Sequence, residues 1–131
     1  MMNETKLEAL KADMSRHFIS EYPREACGII TTDFKYIPCR NLSPNAKNNF
    51  ILDPVALLEH EEDTWGIVHS HPGSDNPIPS EEDVASTVFD SYKFIVGFSN
   101  NFYIYWFDNR LSCLMYEKLE THHFNDQSSL S

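Results

Sequence analysis

The spacing of hydrophobic and polar residues predicts a long helix near the start of the chain. Over residues 4–20, apolar side chains recur at intervals of three and four, which places them on one face of a helix. They are Leu7, Leu10, Met14 and Phe18. Thr5 and Glu8 have the spacing of a capping box and predict the N-terminus of this helix, and Pro23 is expected to stop it.

Short apolar and β-branched runs predict the strands. Two neighbouring strands are expected on either side of a turn at Asp33. Another strand is expected to begin at residue 65, and its last residues are polar. Three later runs are separated by turns rich in Asn and Ser, which is typical of a meander. The predicted strands cover residues 27–32, 34–39, 50–52, 65–71, 94–98, 102–108 and 111–117.

Two further helices are predicted by their N-terminal residues. Asp53 followed by Pro54 is typical of an N-cap with proline at the first helical position. Ser80 and the acidic residues after it favour a helix running to about residue 91. Residues 72–79 contain three prolines and are expected to form a loop.

These elements predict an α/β fold in which a mixed, largely antiparallel sheet is flanked by helices. The length of 131 residues suits one domain. We expect that domain to cover residues 1–120, followed by a polar, frayed tail over residues 121–131.

Composition narrows the class of protein. Lys and Arg total 10 against 20 Asp and Glu, and the net charge of -10 opposes binding to nucleic acids or anionic membranes. Cys27, Cys39 and Cys113 form no Cys-x-x-Cys pair, which favours a reducing compartment. No apolar run has the length of a signal-peptide core or a membrane span. The sequence therefore predicts a cytoplasmic protein that binds neither nucleic acid nor membrane, and it says nothing of oligomeric state.

The segment from residue 69 to residue 83 carries the pattern with the clearest chemistry. Residues two apart on a strand share a face, so His69 and His71 are expected to lie about 6.7 Å apart at Cα with their rings on the same side. Asp83 follows the proline-rich loop at the start of the third predicted helix. Two imidazoles and a carboxylate are a ligand set that zinc accepts, and three protein ligands leave a fourth position for water. The sequence predicts one Zn²⁺ ion at these residues.

Two more side chains are candidates for hydrolytic chemistry at this site. A metal-activated water needs a general base, and Glu25, just before the first predicted strand, is the candidate. Ser80 lies three residues before Asp83, where its hydroxyl is able to donate to the oxyanion of a tetrahedral intermediate. The Ser-x-x-Asp spacing is also that of a capping box, which needs no catalysis. The two interpretations are compatible, because a helix start is a rigid place for both side chains.

The pattern His69-x-His71-Pro72-x7-Ser80-x2-Asp83, with Glu25 upstream, resembles the motif of the JAMM (MPN-plus) zinc metalloproteases. The resemblance implies that the two histidines and the aspartate bind zinc, that the glutamate is the general base and that the serine stabilises the oxyanion. It also implies the JAMM/MPN fold, whose architecture is similar to that of cytidine deaminases. Residues 24–30, 37–41, 50–54 and 68–73 look like the N-terminal domain of the tail assembly protein K group of tailed phages.

The resemblance implies zinc-dependent hydrolysis of a peptide or isopeptide bond, with a protein or peptide as substrate. The phage resemblance implies that tail components are among the substrates. Two alternatives stay open within the same fold. One is a bacterial isopeptidase that trims a ubiquitin-like or sulfur-carrier protein, and the other is a scaffold that binds a partner without catalysis.

A different chemistry is also open at Cys27, which a histidine would activate as a nucleophile. Its position before an apolar run, however, favours a small buried side chain.

The aromatic run over residues 102–106 has the composition of a platform for stacking bases, but the negative net charge favours a strand of the core.

Overall fold

The computed structural model describes residues 1–80, 83 and 92–125. The third helix expected from the sequence therefore lies, apart from Ser80 and Asp83, outside the described residues. Within the described part, the elements follow in the order α1 (Glu4–Glu21), β1 (Cys27–Thr31), β2 (Tyr36–Cys39), α2 (Pro54–Glu59), β3 (Thr64–Ser70), β4 (Lys93–Phe98), β5 (Asn101–Asp108), β6 (Cys113–Lys118) and α3 (His122–Asn125).

The strands form one sheet in the order β2-β1-β3-β4-β5-β6. Strands β3 and β4 are parallel, whereas the other neighbouring pairs are antiparallel. The fold class expected from the sequence is thus confirmed, and β4, β5 and β6 form the expected meander. Strand β3 lies in the interior of the sheet, so its residues are protected on both sides by hydrogen-bonded neighbours.

Helix α1 covers one face of the sheet with its apolar stripe. Leu7, Leu10, Met14 and Phe18 are buried as their spacing predicts. The expected capping box is wrong: the N-cap is Asn3, whose side chain accepts a hydrogen bond from the backbone N–H of Lys6. Because the helix already begins at Glu4, Thr5 lies inside the first turn, where it cannot act as the cap.

The opposite face of the sheet carries a second apolar cluster, in which Ile67, Phe94, Val96 and Tyr105 are buried. Phe50, Leu52 and Leu57, from the segment between β2 and β3, pack against it. The expected strand over residues 50–52 is reduced to one bridge, between Leu52 and Asn41. The pairing stops there because the chain turns at the N-cap Asp53 into α2, and Pro54 has no backbone N–H to donate.

Residues 121–125 differ from the frayed tail that polar composition predicts, and residues 126–131 of the expected tail lie outside the described residues. Residues His122–Asn125 form a short helix whose Phe124 is buried. The Phe124 ring stacks on Trp65 and meets Phe34 edge-on. One aromatic side chain therefore anchors a segment whose other residues are polar. None of the helices among the described residues has both the length and the hydropathy required to cross a bilayer.

Candidate metal centre

The two histidines lie where β3 ends, on the face of the sheet opposite α1. His69 pairs with Cys27 of β1 and with Val96 of β4, so its side chain is 1% exposed. His71 follows the strand and keeps 21% of its side chain exposed. The predicted pairing of the two rings on one face is correct, because their centroids lie 5.3 Å apart.

Asp83 meets both histidines, as the sequence predicts. Its Oδ1 lies 3.4 Å from Nε2 of His69, and its Oδ2 lies 3.3 Å from Nε2 of His71. One ligand atom from each residue lies within 4.8 Å of the others. Zinc bonds of about 2.0–2.1 Å at tetrahedral angles would separate neighbouring ligand atoms by about 3.3 Å. The donor set and its spacing therefore fit a divalent ion of this size.

Ser80 reaches the site through its backbone. Its N–H donates to Oδ2 of Asp83 over 2.8 Å, and the N–H of Asp83 donates to the carbonyl of Ser80 over 3.0 Å. In the first of these contacts an acidic side chain reaches back three residues to a backbone amide, which is also the contact of one half of a capping box. Ser80 itself is exposed. Through these two backbone contacts, Ser80 fixes the orientation of Asp83.

The electrostatics of the site follow from the pair formed by His71 and Asp83. Burial by itself lowers the pKa of His71, but the hydrogen bond and the charge of Asp83 outweigh it, so this pKa is raised. Burial raises the pKa of Asp83, but the hydrogen bond from His71 and the charges of both histidines lower it below its usual range. Asp83 is thus held as a carboxylate, the form in which it binds a cation.

Glu25 lies on the other side of the His69 ring. It is 6% exposed, and its Oε1 lies 3.5 Å from Nδ1 of His69. Among the described residues, this Nδ1 is the buried side-chain nitrogen without a hydrogen-bond partner. When Nε2 of a histidine binds a metal, Nδ1 carries the proton and usually faces a carboxylate or a carbonyl. The orphaned Nδ1 beside Glu25 therefore fits a metal held by Nε2.

Two aromatic contacts to His69 were not found from the sequence. Phe50 stacks on the imidazole with ring centroids 4.6 Å apart and planes 18° from parallel. The hydroxyl of Tyr105 lies 2.9 Å from Nε2. Alternation along β5 was a signal that Tyr103 and Tyr105 share a face, but only the strand order brings β5 near β3, with β4 between them.

Asn41 is a third residue near the site that was not singled out from the sequence. It is 6% exposed, and its amide nitrogen donates to the carbonyls of Glu25 and Asn49 over 2.9 and 3.1 Å. Its Oδ1 accepts from the N–H groups of Ser43 and Ile51 over 2.9 and 3.1 Å. All four hydrogen-bonding positions of the amide are therefore used. Asn41 ties the backbone of Glu25 to the loop that carries Phe50.

The sheet also brings together two cysteines that are far apart in sequence. Cys27 and Cys39 are direct partners across β1 and β2, and Cys27 is the direct partner of His69 on its other side. Both are free thiols. Burial raises the pKa of Cys27 to about 12 and that of Cys39 to about 11. Such thiols carry little thiolate at neutral pH, which weighs against the cysteine nucleophile considered above.

Another group of potential ligands lies at the surface, at the end of β6. His123 Nε2 is 2.8 Å from Oε1 of Glu117, and His122 Nε2 is 4.0 Å from the same oxygen. Glu117 and His122 are both more than half exposed. Unlike the centre at His69, this group consists mainly of solvated ion pairs.

The chain belongs to the family described as prokaryotic homologs of the JAB domain, whose model matches residues 7–103. Among curated proteins, it is similar to the tail tip assembly protein K of Escherichia phage N15. The two are 38% identical over 91 residues, which is 64% of this chain and 35% of the phage protein. The chain thus spans about a third of that relative's length.

The fold is also similar to a solved structure. The solution structure of protein DSY2949 from Desulfitobacterium hafniense superposes with a TM-score of 0.62 at 20% identity. The similarity covers 90% of this chain and 88% of that protein. At this level of identity it supports the fold.

Proposed function

We propose that the chain is a zinc-dependent peptidase or isopeptidase that acts on a protein or peptide. The observation that carries this proposal is the convergence of His69, His71 and Asp83, with a buried imidazole and a buried carboxylate facing one point. A divalent ion held between these groups would bind both of them, which would offset the cost of burying them. Family membership supports the same conclusion.

We assign the remaining roles to Glu25 and Ser80. A divalent ion held by His69, His71 and Asp83 would supply a water of lowered pKa and would polarise the carbonyl of the scissile bond. Glu25 lies beside His69, 6% exposed, and takes the proton of the attacking water before it returns that proton to the leaving amine. Ser80 is exposed, and its backbone amide donates to the buried Asp83; its hydroxyl donates to the developing oxyanion.

The similarity to the phage protein supports a role in tail assembly, with tail components as substrates, in the cytoplasm of the bacterial host. The similar region covers only 35% of that protein, so the proposal concerns the activity of this domain.

Metal analysis and two substitutions test the assignment. We expect the purified chain to hold one Zn²⁺ ion and to cleave members of an internally quenched peptide library or an isopeptide-linked reporter. Glu25→Gln should keep the metal and lose turnover. Asp83→Asn should weaken metal binding by more than about 100-fold. Changes at residues that only hydrogen-bond to metal ligands typically weaken binding by about 10- to 100-fold.

The matched control is Glu61→Gln, because Glu61 is an exposed glutamate just before the other end of β3. It should leave both metal content and turnover unchanged. A parent chain that binds zinc no better than Asp83→Asn would refute the metal assignment. Turnover of Glu25→Gln at the parental rate would refute the role of Glu25.

A further inference from the structure

The contact between Tyr105 and His69 involves the atom that the proposed metal needs. The Tyr105 hydroxyl lies 2.9 Å from Nε2 of His69, and both residues are 1% exposed. Nε2 is also the nitrogen that faces Asp83. A neutral imidazole has one lone pair, so Nε2 can either accept a hydrogen bond or bind a metal.

The surrounding groups favour a proton on the other nitrogen of the ring. Nδ1 faces the carboxylate of Glu25, which only accepts hydrogen bonds. Asp83 already accepts from the Ser80 amide and faces His71. With the ring proton on Nδ1, Nε2 is an acceptor and the Tyr105 hydroxyl is its donor.

We infer that Tyr105 competes with the metal for the lone pair of His69 and thereby sets the metal affinity of the site. The inference rests on the proposed metal centre. Without the ion, the hydroxyl gives a buried nitrogen the partner it would otherwise lack, and the empty site stays organised. Binding of the ion must break this hydrogen bond. Tyr105 is therefore a residue that tunes the site, and it has no assigned step in hydrolysis.

The substitution Tyr105→Phe keeps the ring and removes the competitor. One hydrogen bond is lost from the metal-free state, so Zn²⁺ should bind about 2- to 10-fold more tightly. The melting temperature of the metal-free protein should fall, while that of the zinc-loaded protein should stay close to the parental value. Damage to packing would lower both melting temperatures equally, so the widened difference between them identifies competition.

Zinc affinity is measured by titration of Zn²⁺ alone against a chromophoric chelator, with Asp83→Asn as the reference for binding elsewhere on the chain. The matched control is Tyr103→Phe, on the same strand face, whose hydroxyl donates to Asn76 over 2.9 Å. Its affinity should equal that of the parent. Unchanged or weaker binding by Tyr105→Phe overturns the inference, as does an equal loss of melting temperature in both states.

A measurement on the unaltered protein is independent of how the variant folds. The shielded hydroxyl proton of Tyr105 should show a nuclear Overhauser contact to the His69 ring without metal, and Zn²⁺ should remove that contact. A contact that persists in the zinc-loaded protein overturns the inference about Tyr105 but leaves the proposed metal centre in place. If the parent binds zinc no better than Asp83→Asn, the proposed metal centre fails, and the inference fails with it.

Discussion

The substitution Asn41→Ala should destabilise the domain more than its place in a polar loop suggests. The amide makes four hydrogen bonds to backbone groups, to Glu25, Asn49, Ser43 and Ile51. Alanine removes all four at once. It also releases the carbonyl of a buried residue, Glu25, which water cannot readily reach.

The magnitude follows from where these partners lie. A buried carbonyl left without its donor costs about 1–3 kcal/mol, and this applies to Glu25. Asn49 and Ile51 are exposed and Ser43 is half-buried, so water replaces much of what they lose. We therefore expect the free energy of unfolding to fall by about 3 kcal/mol in total.

Urea denaturation in the presence of a chelator measures this change without a contribution from bound metal. Asn48→Ala is the matched control, since Asn48 is an exposed amide of the same loop that bonds to Asn45. Its effect should stay below about 0.5 kcal/mol. A loss below about 1 kcal/mol for Asn41→Ala would show that the four hydrogen bonds do not hold the loop against Glu25.

Two further predictions concern pH and thiol chemistry. His71 must be neutral to bind a metal, and its pKa is raised. As the solution is acidified, zinc affinity should therefore begin to fall at a pH above the ordinary histidine pKa of about 6.5. Zinc titrations at pH 6, 7 and 8 measure this, and an affinity that is constant over that range would contradict histidine ligation. Cys27, with its pKa raised to about 12, should resist iodoacetamide in the folded protein and react only after unfolding. Peptide mass spectrometry checks this, and rapid alkylation of Cys27 with loss of turnover would favour the cysteine nucleophile instead.

Local sequence patterns predicted the parts of the fold that depend on neighbouring residues. The apolar stripe of α1 and the cap at Asp53 were predicted correctly, because helix periodicity and capping act within one or two turns. The capping box at Thr5 was wrong, since Asn3, two residues earlier, is an equally good local cap. The prediction that residues 121–125 fray was wrong, because composition cannot show that Phe124 meets Trp65.

The candidate ligands were also predictable from the sequence, because they lie within 15 residues of one another. Two histidines separated by one residue share a face wherever the backbone is extended, and His71 comes directly after β3. The short loop to Asp83 then limits how far the carboxylate can lie from them. The structure confirms this proximity with separations of 3.3 and 3.4 Å.

The surroundings of the site depend on which strands become neighbours. Glu25 reaches His69 because β1 pairs with β3, and Cys27 meets Cys39 because β1 also pairs with β2. Tyr105 faces the same imidazole only because β5 lies one strand beyond β4. The amino-acid order by itself determined the candidate ligand set and most elements, through interactions within a few residues. The tertiary structure alone decided what surrounds these candidate ligands, because strand pairing between distant segments is set by burial of the whole sheet.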